Sequence, residues 1–463
     1  MTRGERLAGG ALLVLVVGLA LHNALMAQLF ELGLRGRALD AAAAWKEALL
    51  LAAVLAAAGN VRRLRPTLPD LLALVYTAVV CLYALLPQEV LGGEATGRGE
   101  LLALRHHLLP VAAYALGRLL SPASSERERL GAAAALTAGL VALVGLADLA
   151  LVSLDSWRRS GVPGWYREQL GLDYQGLSGL PENWVYNTGD EEHPLRRLVS
   201  TFLSPLASAY AFLVALLYVA ARPLRWWWPP LAALLFVALL YTHTRAALLA
   251  LVAGLLVLAL AGRRPAPAAL AVGAAALGAA FLAAYPALAP ATSYTQAELE
   301  WQRENAQRNP GASGDPFSGS EASTRSHLRN LREGVATVLR HPQGYGLGNA
   351  GVVAKRTGVE IKAGESTYTE LGVDAGLAGA AAFLLFGAAL LRALWRRAPW
   401  VAASLAAVLL LALQTDVIGV HWLAVVVWAA AGLAVAARPG PPKAHEAGVV
   451  PGARAGESGG GGA

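Results

Sequence analysis

Twelve predominantly apolar stretches dominate this chain of 463 residues: Leu7–Ala27, Ala41–Ala58, Pro69–Leu86, Leu101–Leu120, Leu130–Leu154, Pro205–Ala221, Trp226–Tyr241, Ala246–Ala261, Ala268–Leu288, Tyr368–Leu391, Trp400–Leu413 and Trp422–Ala437. A helix that crosses a bilayer needs about 20 mostly apolar residues, so each is a candidate span. With 56% hydrophobic and 15% charged residues and a mean hydropathy of +0.48, the chain has too little polar surface to close a soluble globule of this length. The expected fold is therefore all-α and integral to a membrane: about twelve transmembrane helices with one large, partly helical loop outside the bilayer.

Charge fixes the expected orientation. The formal charge of +7 is gathered on alternate connections and not in a patch for nucleic acid. With the first end cytoplasmic, Arg62, Arg63 and Arg65, then Arg118, Arg127 and Arg129, Arg222 and Arg225, Arg263 and Arg264, Arg392, Arg396 and Arg397, and finally Arg438 all fall inside. That satisfies the positive-inside rule at the short inner connections. The opposite loops are acidic or mixed, with Glu89, Glu94 and Glu100, then Asp190, Glu191 and Glu192. Arg3 and Arg6 precede the first span without a small-residue cleavage signature, which reads as a retained helix. The single cysteine, Cys81, lies inside a span and leaves the redox compartment open. The organisation expected is nine spans over 1–288 with an outer loop at about 155–198, a large outer loop at 289–367, three more spans over 368–437, and a disordered cytoplasmic tail at 438–463 rich in Gly, Pro and Ala.

The polar interest is concentrated on the outer side. A loop as long as 289–365 outside the bilayer is more often a working part than a connector. Within it Ser323–Arg340 reads as a helix, with Leu328, Leu331, Val335 and Val338 on one face and Pro342 just past the end. Arg325, Arg329 and Arg332, spaced by four and three residues, project together from a neighbouring face. Gly344, Gly346 and Gly348 follow as a flexible turn. The first outer loop holds Trp157, Trp165, Tyr166, Tyr174, Trp184 and Tyr186, readable as an interfacial aromatic belt or as platforms for sugar stacking. No internal repeat is visible, which argues against a transporter built from paired halves.

Five groups of residues offer chemistry. Arg245, in Thr242-His243-Thr244-Arg245, interrupts an apolar stretch too long for one crossing and marks a tight outer turn; it either snorkels to anchor a helix end or binds an anion. Arg197 opens the next feature, Arg197 to Pro205, at the mouth of the sixth span. Guanidinium groups on one side of a membrane bind a diphosphate through forked hydrogen bonds and stay charged at any working pH. Glu365 is either a helix cap or a general base for a sugar hydroxyl, with Tyr368, Glu370, Gly372 and Gly376 following it. Asp374 lies deeper, as a packing or relay residue. Arg105, His106 and His107 are costly inside lipid unless functional, or else sit at the outer interface. His341 reads as the cap that closes the loop helix. No His, Asp or Glu cluster has metal-ligand spacing, so neither a metal nor a cofactor is expected.

Three of these stretches resemble the O-antigen polymerase and O-antigen ligase superfamily. Arg197 through Pro205 is similar to its R-x-x-x-T-F-x-x-P pattern. Thr242 to Arg245 is similar to its T-x-S-R, with Thr244 in place of serine. Arg325 through Gly348, followed by Glu365 through Gly376, resembles its signature loop of an arginine helix, H-P-x-x-G-x-G-x-G and a helix with G-L-x-G. The resemblance implies a multi-spanning, GT-C-like, metal-independent glycosyltransferase of the bacterial inner membrane, working on the periplasmic side with a donor oligosaccharide on undecaprenyl diphosphate. It also implies a chain-length regulator as partner. The candidate site comprises Glu365, Arg245 and Arg325 as catalytic residues and Arg197, Arg329, His243, Tyr368 and His341 as substrate-binding residues. Ligases of the family carry histidine at the position of Glu365, whereas polymerases often carry glutamate. The reading favoured is a polymerase that moves the glycan en bloc, with inversion, to a hydroxyl of another lipid-linked repeat unit. A ligase acting on lipid A core is its near rival, and a flippase of lipid-linked sugar the rival from another class.

Overall fold

The computed structural model describes residues 2–120, 124–187, 192–308, 313 and 315–436; the tail expected to be disordered lies outside the described residues. Each of the twelve apolar stretches is a helix: α1 (Arg3–Glu31), α2 (Trp45–Ala57), α3 (Leu68–Tyr83), α4 (Gly97–Leu119), α5 (Ser124–Leu151), α6 (Pro205–Ala220), α7 (Trp228–Tyr241), α8 (Arg245–Gly262), α9 (Ala266–Leu288), and, after the outer helix α10 (Ala322–Arg340), α11 (Thr367–Leu394), α12 (Pro399–Leu411) and α13 (His421–Ala436). The helix ends carry ordinary start signals. Thr2 caps α1 in a capping box with Glu5, Thr67 and Asp70 do the same for α3, and proline stands in the first turn of α3, α6, α7, α9 and α12.

The protein is an all-α, multi-span membrane protein. Six helices among the described residues are long and apolar enough to cross a bilayer, and five shorter ones are equally apolar. The exception is α4, which carries Arg98, Glu100, Arg105, His106, His107 and Arg118. It is buried at the centre, laid so closely on α13 that a methyl group on Gly117 would come 2.2 Å from the Ala429 carbonyl. His107 and Arg118, which lipid would reject, are thereby enclosed by protein.

The two ends of the bundle differ. At one end Asp70 receives both Nε and Nη2 of Arg118 at 2.7 Å, and Asn60 bonds Glu5 and the Leu119 carbonyl. At the other, the two long loops form one layer. A short antiparallel pair joins β1 (Val185–Tyr186) to β2 (Leu195–Arg196), with Tyr186 opposite Leu195. The helix Gln296–Arg308 crosses onto the first loop through Glu298, which accepts from Arg158 Nη2 at 2.6 Å.

Two expectations are corrected in this layer. Trp165, Tyr166 and Trp184 are neither belt nor stacking platform: they are buried with Phe30, Leu177, Leu180 and Val199 in a small core of their own over the end of α1. In α10, Leu328 and Val335 are exposed; only Val338 and Gly334 of that helix are buried. Gly334 and Val338 lie against Thr369 and Gly372 of α11. That one-sided packing leaves the expected apolar face uncovered over most of its length.

Candidate active site on the loop face

The turn between α7 and α8 is built around His243, a non-glycine residue at φ 48°. Its ring lies 4.1 Å from those of Tyr186 and Tyr285, centroid to centroid. Burial, then the neighbouring Arg197 and Arg245, push its pKa down to about 2, so the imidazole is neutral. Arg197 donates from Nε to the Thr242 carbonyl at 2.8 Å and from Nη2 to Thr244 Oγ1 at 3.2 Å. Burial lowers its pKa to about 10, which still leaves it charged at neutrality. Both residues therefore shape the turn that presents Arg245.

Arg245 begins α8 and reaches across to the large loop. Its Nη2 donates to Glu321 Oε2 at 2.6 Å and its Nη1 to the Pro316 carbonyl at 2.8 Å. Glu321 is in turn the N-cap of α10, accepting the Thr324 amide at 2.8 Å. Burial acts to raise the Glu321 carboxyl, but the bonds from Arg245 and Thr324 outweigh it and hold it below the usual carboxylate range. Arg325 lies one turn further on. With Gly319, Leu328, Arg329, Arg332 and Glu333 it lines an open depression of about 490 Å³. Neither Arg245 nor Glu365 contributes to that lining, so neither shares the depression with the three arginines of α10.

At its middle, α10 meets Glu365. His327 Nδ1 stands 2.7 Å from Glu365 Oε2, a close polar contact in which the ring is turned off the line of a hydrogen bond. The contact with His327, against the opposing effect of burial, holds the Glu365 carboxyl below its ordinary range, and Arg329 adds to it. Glu365 does not cap α11: Ser366 occupies the N-cap position, and Glu365 sits at φ 67° with its side chain directed to α10. Six residues separate Glu321 from His327, about 9 Å along a helix axis. One helix thus carries both poles, Arg245 with Glu321 at its start and Glu365 with His327 near its middle. By the 100° step of a helix, Arg325, Arg329 and Arg332 lie on the side opposite Gly334 and Val338, and His327 lies on the packed side.

The remaining expected residues hold the frame. His341 closes α10, sets Nε2 2.8 Å from the Leu91 carbonyl and stacks on Tyr345 at 4.0 Å. Tyr368 donates to the Leu409 carbonyl at 2.7 Å and ties α11 to α12. The glycine turn is not flexible but wedged into a break in α11, where Ala375 and Gly376 leave helical geometry. Tyr345 donates to the Val373 carbonyl at 2.6 Å, and Leu377 to Pro342 at 2.8 Å. Asp374 is held at 2.8 Å from His107 Nε2 and accepts the Asn349 amide at 3.1 Å; His106 pairs with Asp416 at 3.2 Å. His106 and His107 are thus part of an internal ionic frame and not of an outer interface.

Glu321, His327, Asn349 and Asp416 are the residues that sequence reasoning missed. A carboxylate immediately before an arginine-bearing helix was the signal available for Glu321. A histidine between Arg325 and Arg329 was the signal for His327.

What these elements define is a multi-span membrane protein whose loop face carries guanidinium groups and one carboxylate–imidazole pair. Residues 230–384 match the O-antigen ligase family, a stretch that runs from α7 into α11 and includes Arg245, α10, the glycine turn and Glu365. Over that stretch the chain is similar to the O-antigen ligase/polymerase superfamily, a likeness that implies a glycosyltransferase-like enzyme. No curated protein matches it.

Proposed function

We propose that this enzyme is a polysaccharide polymerase that transfers a glycan en bloc from undecaprenyl diphosphate to a hydroxyl of another lipid-linked repeat unit, without a metal and with inversion. The observation that carries this reading is the pairing of two poles on one helix. Arg245 and the first turn of α10, with Arg325, form the anionic-donor end, and Glu365 with His327 forms the proton-accepting end. The leaving diphosphate carries several negative charges, and fixed guanidinium groups stabilise what develops there. Arg197 holds the turn that aims Arg245. The loop face is the periplasmic side of the inner membrane in this reading, since the arginine-rich connections lie at the opposite end of the bundle.

The family match favours a second reading, a ligase that hands the same glycan to a different terminal acceptor. Purified full-length enzyme given lipid-linked glycan alone separates them. A ladder of longer lipid-linked products is expected of the polymerase. Glycosidic transfer that occurs only when a second acceptor is added would establish the ligase, and no glycosidic bond under either condition would overturn both.

A further inference from the structure

We propose that the imidazole of His327, oriented by Glu365, takes the proton from the attacking sugar hydroxyl; this deepens the glycosyltransferase reading and rests on it. Backbone strain marks the position of Glu365. A glutamate at φ 67° is strained and persists only where its surroundings over-determine it. Here they do. Ser366 Oγ donates to the Ala412 carbonyl at 3.1 Å, the Thr367 amide to the same carbonyl at 3.0 Å, and Thr367 Oγ1 to Thr415 at 3.0 Å. The strained turn takes Glu365 off the start of α11, which it would otherwise cap, and sets it on His327.

The imidazole is presented asymmetrically. Its Nδ1 is buried 2.7 Å from the carboxylate, while the side chain as a whole remains 39% exposed. Its Nε2 has no protein hydrogen bond among the described residues. The carboxylate lies against Nδ1, so Nε2 is the ring nitrogen left to meet a substrate hydroxyl. This is the relation of base to orienting acid used wherever a hydroxyl must be activated. The groups facing the pair are Arg329, which acts on the Glu365 carboxylate, Asn330 beside it, and Glu370 behind. Glu365, held below its ordinary range by the contact with His327, is a weak base for a sugar hydroxyl.

The step balances. Nε2 accepts the hydroxyl proton as the oxygen forms its bond to the anomeric carbon. The bond from that carbon to the phosphate oxygen breaks, and its electron pair leaves with undecaprenyl diphosphate toward Arg245. The imidazolium, stabilised by Glu365, then returns its proton to water.

The test uses full-length enzyme in lipid nanodiscs and lipid-linked glycan extracted from cells deleted for this gene. His327→Asn is expected to lower kcat at least about 100-fold with donor KM within about threefold. The acidic limb of kcat against pH in the native enzyme is expected to be absent from the residual activity. A kcat within about fivefold of native overturns the proposal. So does a reduced kcat whose acidic limb is unmoved, because His327 would then only position the helix. Should the variant not fold, carbethoxylation of native enzyme decides: His327 protected by the lipid-linked glycan supports the role, and His327 left unprotected overturns it. Native enzyme that forms no glycosidic bond fails the polymerase and ligase readings themselves, an outcome visible without any variant.

Discussion

Removing the Glu321 carboxylate tests whether α10 is held to the bundle by its first residue. In Glu321→Ala the Thr324 amide loses its cap, worth about 1 kcal/mol, and Arg245 loses a charge-assisted hydrogen bond worth roughly 1.5 kcal/mol. Arg245 is 23% exposed, so water recovers part of the second quantity, and about 2 kcal/mol is the expected loss for local opening. That corresponds to roughly 30-fold faster opening of the first turn. Hydrogen–deuterium exchange of the amides from Thr324 to Leu328 reads it directly. The amides around Val338, packed on α11, are expected to stay within about twofold. Glu321→Gln retains an acceptor for Thr324 but not the charge, and is expected to fall between. The pH dependence has a definite sign. The folded carboxyl is held below its unfolded value, so the contribution is fully present above the ordinary glutamate range near about 4.3 and is lost as pH falls through the lower folded value. Unchanged exchange at Thr324–Leu328 in Glu321→Ala would refute the reasoning.

Other perturbations probe separate parts of the structure. Arg245→Ala is expected to reduce donor use about 100-fold, with Arg245→Lys restoring little because an ammonium cannot make the forked contact; steady-state kinetics with lipid-linked glycan check both. Glu365→Gln keeps the shape but removes the charge that orients His327, and chain growth is expected to fall at least about 100-fold, measured by the product ladder. Gly376→Ala places a methyl group 2.7 Å from Tyr83 Oη and 2.8 Å from the Gln343 carbonyl at φ 65°. A loss of about 2–4 kcal/mol is expected, seen as a lower Tm in detergent. Asp374→Ala strands both His107 and the Asn349 amide, and is expected to cost about 3 kcal/mol, by the same measurement.

The twelve apolar helices were legible because lipid demands a long apolar run, and the run is visible whatever its neighbours are. Arg245 and Glu365 were legible as polar residues at places where an apolar pattern breaks. Their partners were not. Glu321 and His327 sit in a segment whose composition fits any exposed helix, and only the crossing of α10 over the ends of α8 and α11 pairs them. The apolar face assigned to α10 failed for the same reason. Period alone says which side chains share a face, not which face a neighbour covers, and the contact here is one strip at Gly334 and Val338. The aromatic residues of the first loop were misread because a second small core outside the bilayer leaves no periodic trace in a segment of short turns.

The break at Ala375 and Gly376 has a bearing on engineering. Its freed carbonyl and amide groups are taken up by residues 342–345, so contacts of the large loop reach about two turns inside what hydropathy marks as a span. An exchange of loops between related enzymes made at the bilayer boundary would leave half of this junction behind in the recipient. The transferable cassette extends to Leu377, and grafts cut there are the ones that carry their own seam.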